Sequence, residues 1–123
     1  MARRKAYVYS LISVLYMALV FFLSWVPMKI EVSSFSWSDQ FAHMVLYGIL
    51  ACLIYIALRE MNVPRRFWLV LAFAVSFLYG TANEIFQHFL PWRQADINDV
   101  VANGIGAFCF PLLLWLRTRY QNK

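Results

Sequence analysis

Asp39, His43 and Tyr47 stand at i, i+4 and i+8, a spacing that lays a carboxylate, an imidazole and a phenol in one stripe along a helix. Farther on, Glu84 and Gln87 share a helical face, Arg93 and Asp96 follow Pro91, and Asp99 and Asn103 lie one turn apart. These groups admit three chemistries. A guanidinium with amides beside it grips phosphate or carboxylate through its planar fork of donors, which gives Arg93 the role of anion partner. Glu84 or His43 can act as general base, with Arg93 and Asp99 completing a catalytic set. Asp39, His43, Glu84, Asp96 and Asp99 form a mixed oxygen and nitrogen donor set of the kind divalent metals accept, but they lack a motif such as HExxH. The expectation is therefore a ligand-binding site of Asp39, His43, Tyr47, Glu84, Gln87, Arg93, Asp96, Asp99 and Asn103, with no metal or other cofactor. No nucleophile stands beside it: Cys52 and Cys109 fall inside apolar runs as packing residues, and Ser36 and Ser38 read as helix-cap or loop residues.

The elements that carry these residues are dictated by composition. Apolar and aromatic types make up 63% of the 123 residues and charged types 14%, against about 25% charged in a soluble domain. That little charge cannot cover a water-facing surface. Four apolar runs are expected as spans, over about 6–26, 41–58, 67–89 and 100–116, each near the length that crosses a hydrocarbon core. Pro27 stops the first run. Ser38 or Ser36 is the expected N-cap of the second helix, and Asn98 or Asp96 that of the fourth.

The net charge of +5 is distributed by topology. Arg3, Arg4 and Lys5 precede the first run, Arg59, Arg65 and Arg66 separate the second from the third, and Arg117, Arg119 and Lys123 follow the fourth. The other two links hold only Lys29 and Arg93. The positive-inside rule then places both termini in the cytoplasm. Trp25, Trp37 and Trp92 fall at one interface and Trp68 and Trp115 at the other, where an amphipathic ring is favoured. Clusters of this kind are not the continuous basic face of a nucleic-acid binder. The chain is expected to be an all-α, four-transmembrane-helix bundle, a single membrane domain over 1–123.

With that orientation the polar constellation faces the extracytoplasmic side. Glu84 lies about 9 Å from the bilayer centre by helical rise, where an insertion scale sets a central charge at about 2.5 to 3.5 kcal/mol. It must be paired, hydrated or protonated, and His43 and Arg93 are the expected partners. Mutual pairing of the polar groups, which simply holds short helices together at about 0.6 kcal/mol per contact, is the plainer account of any single residue. It accounts less well for the whole set, since stability alone could be had from Leu, Gly and Ala. Gly80, Gly104 and Gly106 read as close-packing positions, not as a nucleotide fingerprint.

The two blocks together, Asp39-(x3)-His43-(x3)-Tyr47 and Glu84-(x2)-Gln87-(x3)-Pro91-x-Arg93-(x2)-Asp96-(x2)-Asp99-(x3)-Asn103-(x2)-Gly106, resemble the VanZ-like family of bacterial integral membrane proteins over residues 39–116. The family's usual lysine after the first Asp is Gln40 here, and a glycine expected late in the fourth helix is Phe110. The resemblance implies a protein of the cell envelope, in the bacterial cytoplasmic (inner) membrane, from a family associated with low-level glycopeptide (teicoplanin) resistance. The function expected is binding of a polar or anionic, lipid-linked envelope headgroup, and the alternative is a small intramembrane hydrolase or transferase. Membrane lipids and a lipid-linked cell-wall precursor or similar molecule are the expected partners. Nucleic acid is not expected, and a transport pathway through four short helices would require a homo-oligomer.

Overall fold

Inside hydrocarbon each backbone N–H and C=O must be satisfied within its own segment, so apolar runs of this length become helices. The computed structural model describes residues 1–25, 37–92 and 96–121, without the side chains of Ala2, Trp37, Ser38 and Asp39. It contains four long helices: α1 (Ala2–Trp25), α2 (Trp37–Glu60), α3 (Trp68–His88) and α4 (Ile97–Gln121). All four are long and apolar enough to cross a membrane. α1, α2 and α4 overrun the apolar runs by up to five residues, because helical hydrogen bonding continues into the polar flanks.

The turns have local causes. At the end of α2 the Met61 amide donates to the Ala57 carbonyl (2.9 Å) and the Val63 amide to that of Leu58 (3.2 Å). Between them Asn62 takes the left-handed conformation (φ 61°), which asparagine tolerates at a helix end. One tight turn, Arg65–Phe67, then leads into α3, and the Trp68 indole N–H reaches back to the Val63 carbonyl (2.7 Å). At α4, Asp96 is the cap: its Oδ1 accepts from the Asn98 amide (2.9 Å), and its carbonyl accepts from the Asp99 amide (3.1 Å). Asn98, the other cap candidate, is inside the helix. At α2, Ser38 likewise falls inside the helix, and both Ser36 and the expected stop at Pro27 lie outside the described residues.

α2 packs against each of the other three helices, most extensively against α4. The α2–α4 seam is close enough to exclude side chains. A Cβ on Gly106 would collide with the Met44 backbone carbonyl, and one on Gly48 would lie 2.5 Å from the Phe110 ring. The large residue at 110 is thus matched by a glycine on the facing helix. Tyr47, Leu50, Ile54 and Tyr55 of α2 form the core with Val20 of α1 and Ala72 of α3, and Trp68 and Trp115 pack onto it. Leu11, Leu15 and Phe22 of α1, Leu78 and Ile85 of α3 and Leu113 of α4 remain exposed, an apolar belt suited to lipid. Cys109 belongs to that outward surface while Cys52 is half-buried, so the packing role expected of both fits only Cys52.

α1 is held differently. Tyr16 donates to the Leu46 carbonyl of α2 (2.7 Å), and the Tyr79 hydroxyl of α3 donates to the Met17 carbonyl. At its far end the Trp92 indole donates to the Trp25 carbonyl (3.1 Å). At the other, Ser10 meets Met61. Successive helices therefore run in opposite directions. The basic helix ends gather at one end of the bundle, and the polar constellation lies at the other.

Candidate functional site

α3 buries one face, comprising Ala72, Ser76, Gly80, Asn83, Glu84 and Gln87, and their steps of three and four residues make a single helical stripe. α4 turns Ala102, Asn103, Gly106 and Ala107 inward. α2 packs against both, and α3 and α4 also meet directly, so small residues at 80 and 106 bring polar side chains from three helices to one level.

At the centre is His43. Its Nδ1 stands 3.1 Å from Asn103 Oδ1, and its Nε2 stands 3.6 Å from Asp99 Oδ2. Since an amide oxygen only accepts, this arrangement puts a proton on Nδ1 and turns Nε2 toward the carboxylates. Glu84 completes the group: one donor atom each from His43, Glu84 and Asp99 lie within 4.8 Å of one another. Glu84 is 4% exposed and Asn103 fully buried. With its amide nitrogen turned to Glu84, Gln87 donates to both carboxylate oxygens at 3.1 and 3.2 Å; the opposite orientation would set its oxygen against them.

Beneath this group Tyr47 forms a floor. Its hydroxyl accepts from Asn83 Nδ2 (2.9 Å), its backbone carbonyl accepts from Ser76 (2.8 Å), and its ring stacks with that of His43 at 6.1 Å between centroids. Gly80 admits the Asn103 amide, because a Cβ there would lie 2.8 Å from Asn103 Nδ2.

A cleft of about 290 Å³ opens between α3 and the start of α4, walled by Thr81, Ile85, His88, Phe89, Ile97 and Val100, with Glu84 and Asp96 also lining it. Glu84 is the residue common to the cleft and the His43 cluster. A larger groove of about 570 Å³ on the α2–α4 face is lined by Gln40, Phe41, Met44, Asn98, Val101, Ala102 and Ile105, without an ionisable side chain.

Among the residues singled out by sequence, His43, Tyr47, Glu84, Gln87, Asp99 and Asn103 come together. Asp96 does not join the cluster; it is exposed, caps α4 and lines the cleft. Arg93 and the side chain of Asp39 lie outside the described residues. Asn83 and Ser76, which support Tyr47, were not anticipated, although both lie on the small and polar stripe that contains Gly80 and Glu84. His88, exposed at the end of α3, and Thr81, half-buried within it, were likewise missed as cleft residues.

The fold and this site define a small multi-pass α-helical membrane protein with a cluster of ionisable and amide side chains sunk into one end of its bundle. Residues 4–118 match the family model described as VanZ/LLP1, and the chain belongs to that family. The match takes in α1 as well as the 39–116 region that carries the motif spacing. No curated protein and no solved structure gives a significant match.

Proposed function

We propose that the protein resides in the bacterial cytoplasmic membrane with its basic helix ends and both termini in the cytoplasm, and that its outward site binds the polar or anionic headgroup of a lipid-linked envelope molecule. Nine of the eleven Lys and Arg residues flank the spans at the basic end, which supports the orientation. The observation that carries the binding reading is the position of Glu84, at once part of the His43 cluster and of a cleft with largely apolar walls. A headgroup could meet the polar side chains there while its tail leaves between α3 and α4 toward lipid. Arg93, three residues before Asp96 in the chain, supplies the charge for an anion.

The test is equilibrium binding of labelled lipid-linked cell-wall precursor and of ordinary phospholipids to the full chain in lipid nanodiscs. Saturable binding weakened about tenfold or more in Arg93→Ala and in Asn103→Ala is expected. Partition indistinguishable between parent and variants would refute the reading.

A second reading, hydrolysis or transfer on such a lipid, is favoured by one feature: both ring nitrogens of His43 are engaged, by Asn103 and Asp99, as in an oriented acid–base histidine. Single-turnover incubation with the same lipids would give a cleaved headgroup in the parent and none in Glu84→Gln. Intact lipid in both would leave binding alone.

A further inference from the structure

We propose that His43 Nε2, Glu84 and Asp99 hold a divalent transition-metal ion, most favourably Zn²⁺, in the wall of the site. The three donors come from three helices and lie within 4.8 Å of one another. In a tetrahedral site with bonds of about 2.1 Å, ligand atoms stand about 3.4 Å apart, close to the 3.6 Å between His43 Nε2 and Asp99 Oδ2. Adjustment of the carboxylate rotamers by about 1.4 Å would bring the whole set to bonding distance.

The surroundings of the donors strengthen the case. A ligating histidine ordinarily donates its second ring N–H to a carbonyl or carboxylate, which fixes the tautomer and aims the other nitrogen at the ion. Asn103 Oδ1 stands in that position at His43 Nδ1, 3.1 Å away and fully buried. Ligating carboxylates are themselves hydrogen-bonded, as Glu84 is when the Gln87 amide nitrogen is turned to it. Asn103 Nδ2 is buried without a hydrogen-bond partner and lies against Gly80, one turn before Glu84. One imidazole and two carboxylates suit Zn²⁺ or Mn²⁺ better than Mg²⁺, and Zn²⁺ binds more tightly than Mn²⁺ at such a site. Three protein ligands leave a position for an exchangeable ligand, and a phosphate oxygen fits it; only that last step rests on the headgroup reading.

The experiment uses the full chain in nanodiscs, stripped with chelator, desalted and titrated separately with Zn²⁺, Mn²⁺ and Mg²⁺. Elemental analysis should give one Zn²⁺ per chain. Affinity should fall about 100-fold in His43→Ala and Asp99→Asn, and about 10- to 100-fold in Asn103→Ala, which acts through His43. His88→Gln leaves His43 as the sole histidine, so ¹⁵N spectra of that variant should show Zn²⁺ shifting Nε2 while the proton stays on Nδ1. This readout needs no ligand variant to fold. Substoichiometric Zn²⁺, binding unchanged in His43→Ala and Asp99→Asn, or an unmoved Nε2 signal overturns the proposal. Lipid binding measured in stripped and loaded discs separates the two readings: equal binding in both, without stoichiometric metal, removes the ion and keeps the headgroup.

Discussion

The seam between α2 and α4 and the attachment of α1 solve the same problem with different physics. In lipid there is little hydrophobic gain from bringing helices together, so association depends on close packing and polar contacts. The seam uses contact so close that Gly106 lies against the Met44 carbonyl and Gly48 under the Phe110 ring, with His43 and Asn103 joined across it. α1 instead takes hydrogen bonds on carbonyls of its own helix or gives them to its neighbour, as at Leu46 and Met17, and leaves most of its surface to lipid. The helices that form the site are thus set by shape, and α1, which among the described residues places no side chain in the set of His43, Glu84 and Asp99, is tethered by side chains. A site built from donors on three helices needs the first kind of attachment, because a small slip would separate them.

Gly106→Val tests the contrast most severely. The new side chain meets backbone, which cannot rotate away, so destabilisation of at least about 3 kcal/mol is expected. Its readout is loss of the monodisperse peak in detergent size-exclusion after mild heating. Asn103→Leu comes next: it removes the His43 partner within a buried site, at about 1 to 3 kcal/mol, measurable by steric-trap unfolding in bicelles. Gly48→Ala presses on a ring that can move, so about 1 kcal/mol is expected, and Phe110→Ala in the same chain should relieve it. A double-mutant cycle reads that coupling; strict additivity would show that the pair is not in contact. Tyr16→Phe, which cuts one tether of α1, should cost only about 0.6 kcal/mol. A loss as large as that of Asn103→Leu would erase the distinction between seam and tether.

How much of this was legible in sequence follows from which interactions have a period. The spans were legible because apolar runs and basic flanks are local, and the His43–Tyr47 and Asp99–Asn103 stripes because one helical turn is a fixed spacing. What no period encodes is which residue on one helix meets which on another. Phe110 in place of an expected glycine is explained only by Gly48 on the facing helix. The bond from Asn83 to Tyr47 likewise joins residues 36 apart in the chain. Asp96 was legible as a cap and as a site residue, and the structure keeps the cap and sets it at the rim. The three-donor set fell within the residues named for a metal, but the absence of a motif argued against it. Motifs record ligands on one helix, whereas these stand on three.

The cleft between α3 and α4 also fixes how encounters with the site would be counted. Its walls at Ile85, Phe89, Ile97 and Val100 would admit an amphiphile by sideways diffusion within one leaflet, so the relevant concentration is a mole fraction in the membrane plane and not a molarity in the surrounding water. Diluting discs with buffer would then leave occupancy unchanged, whereas diluting the ligand with inert lipid would lower it in proportion.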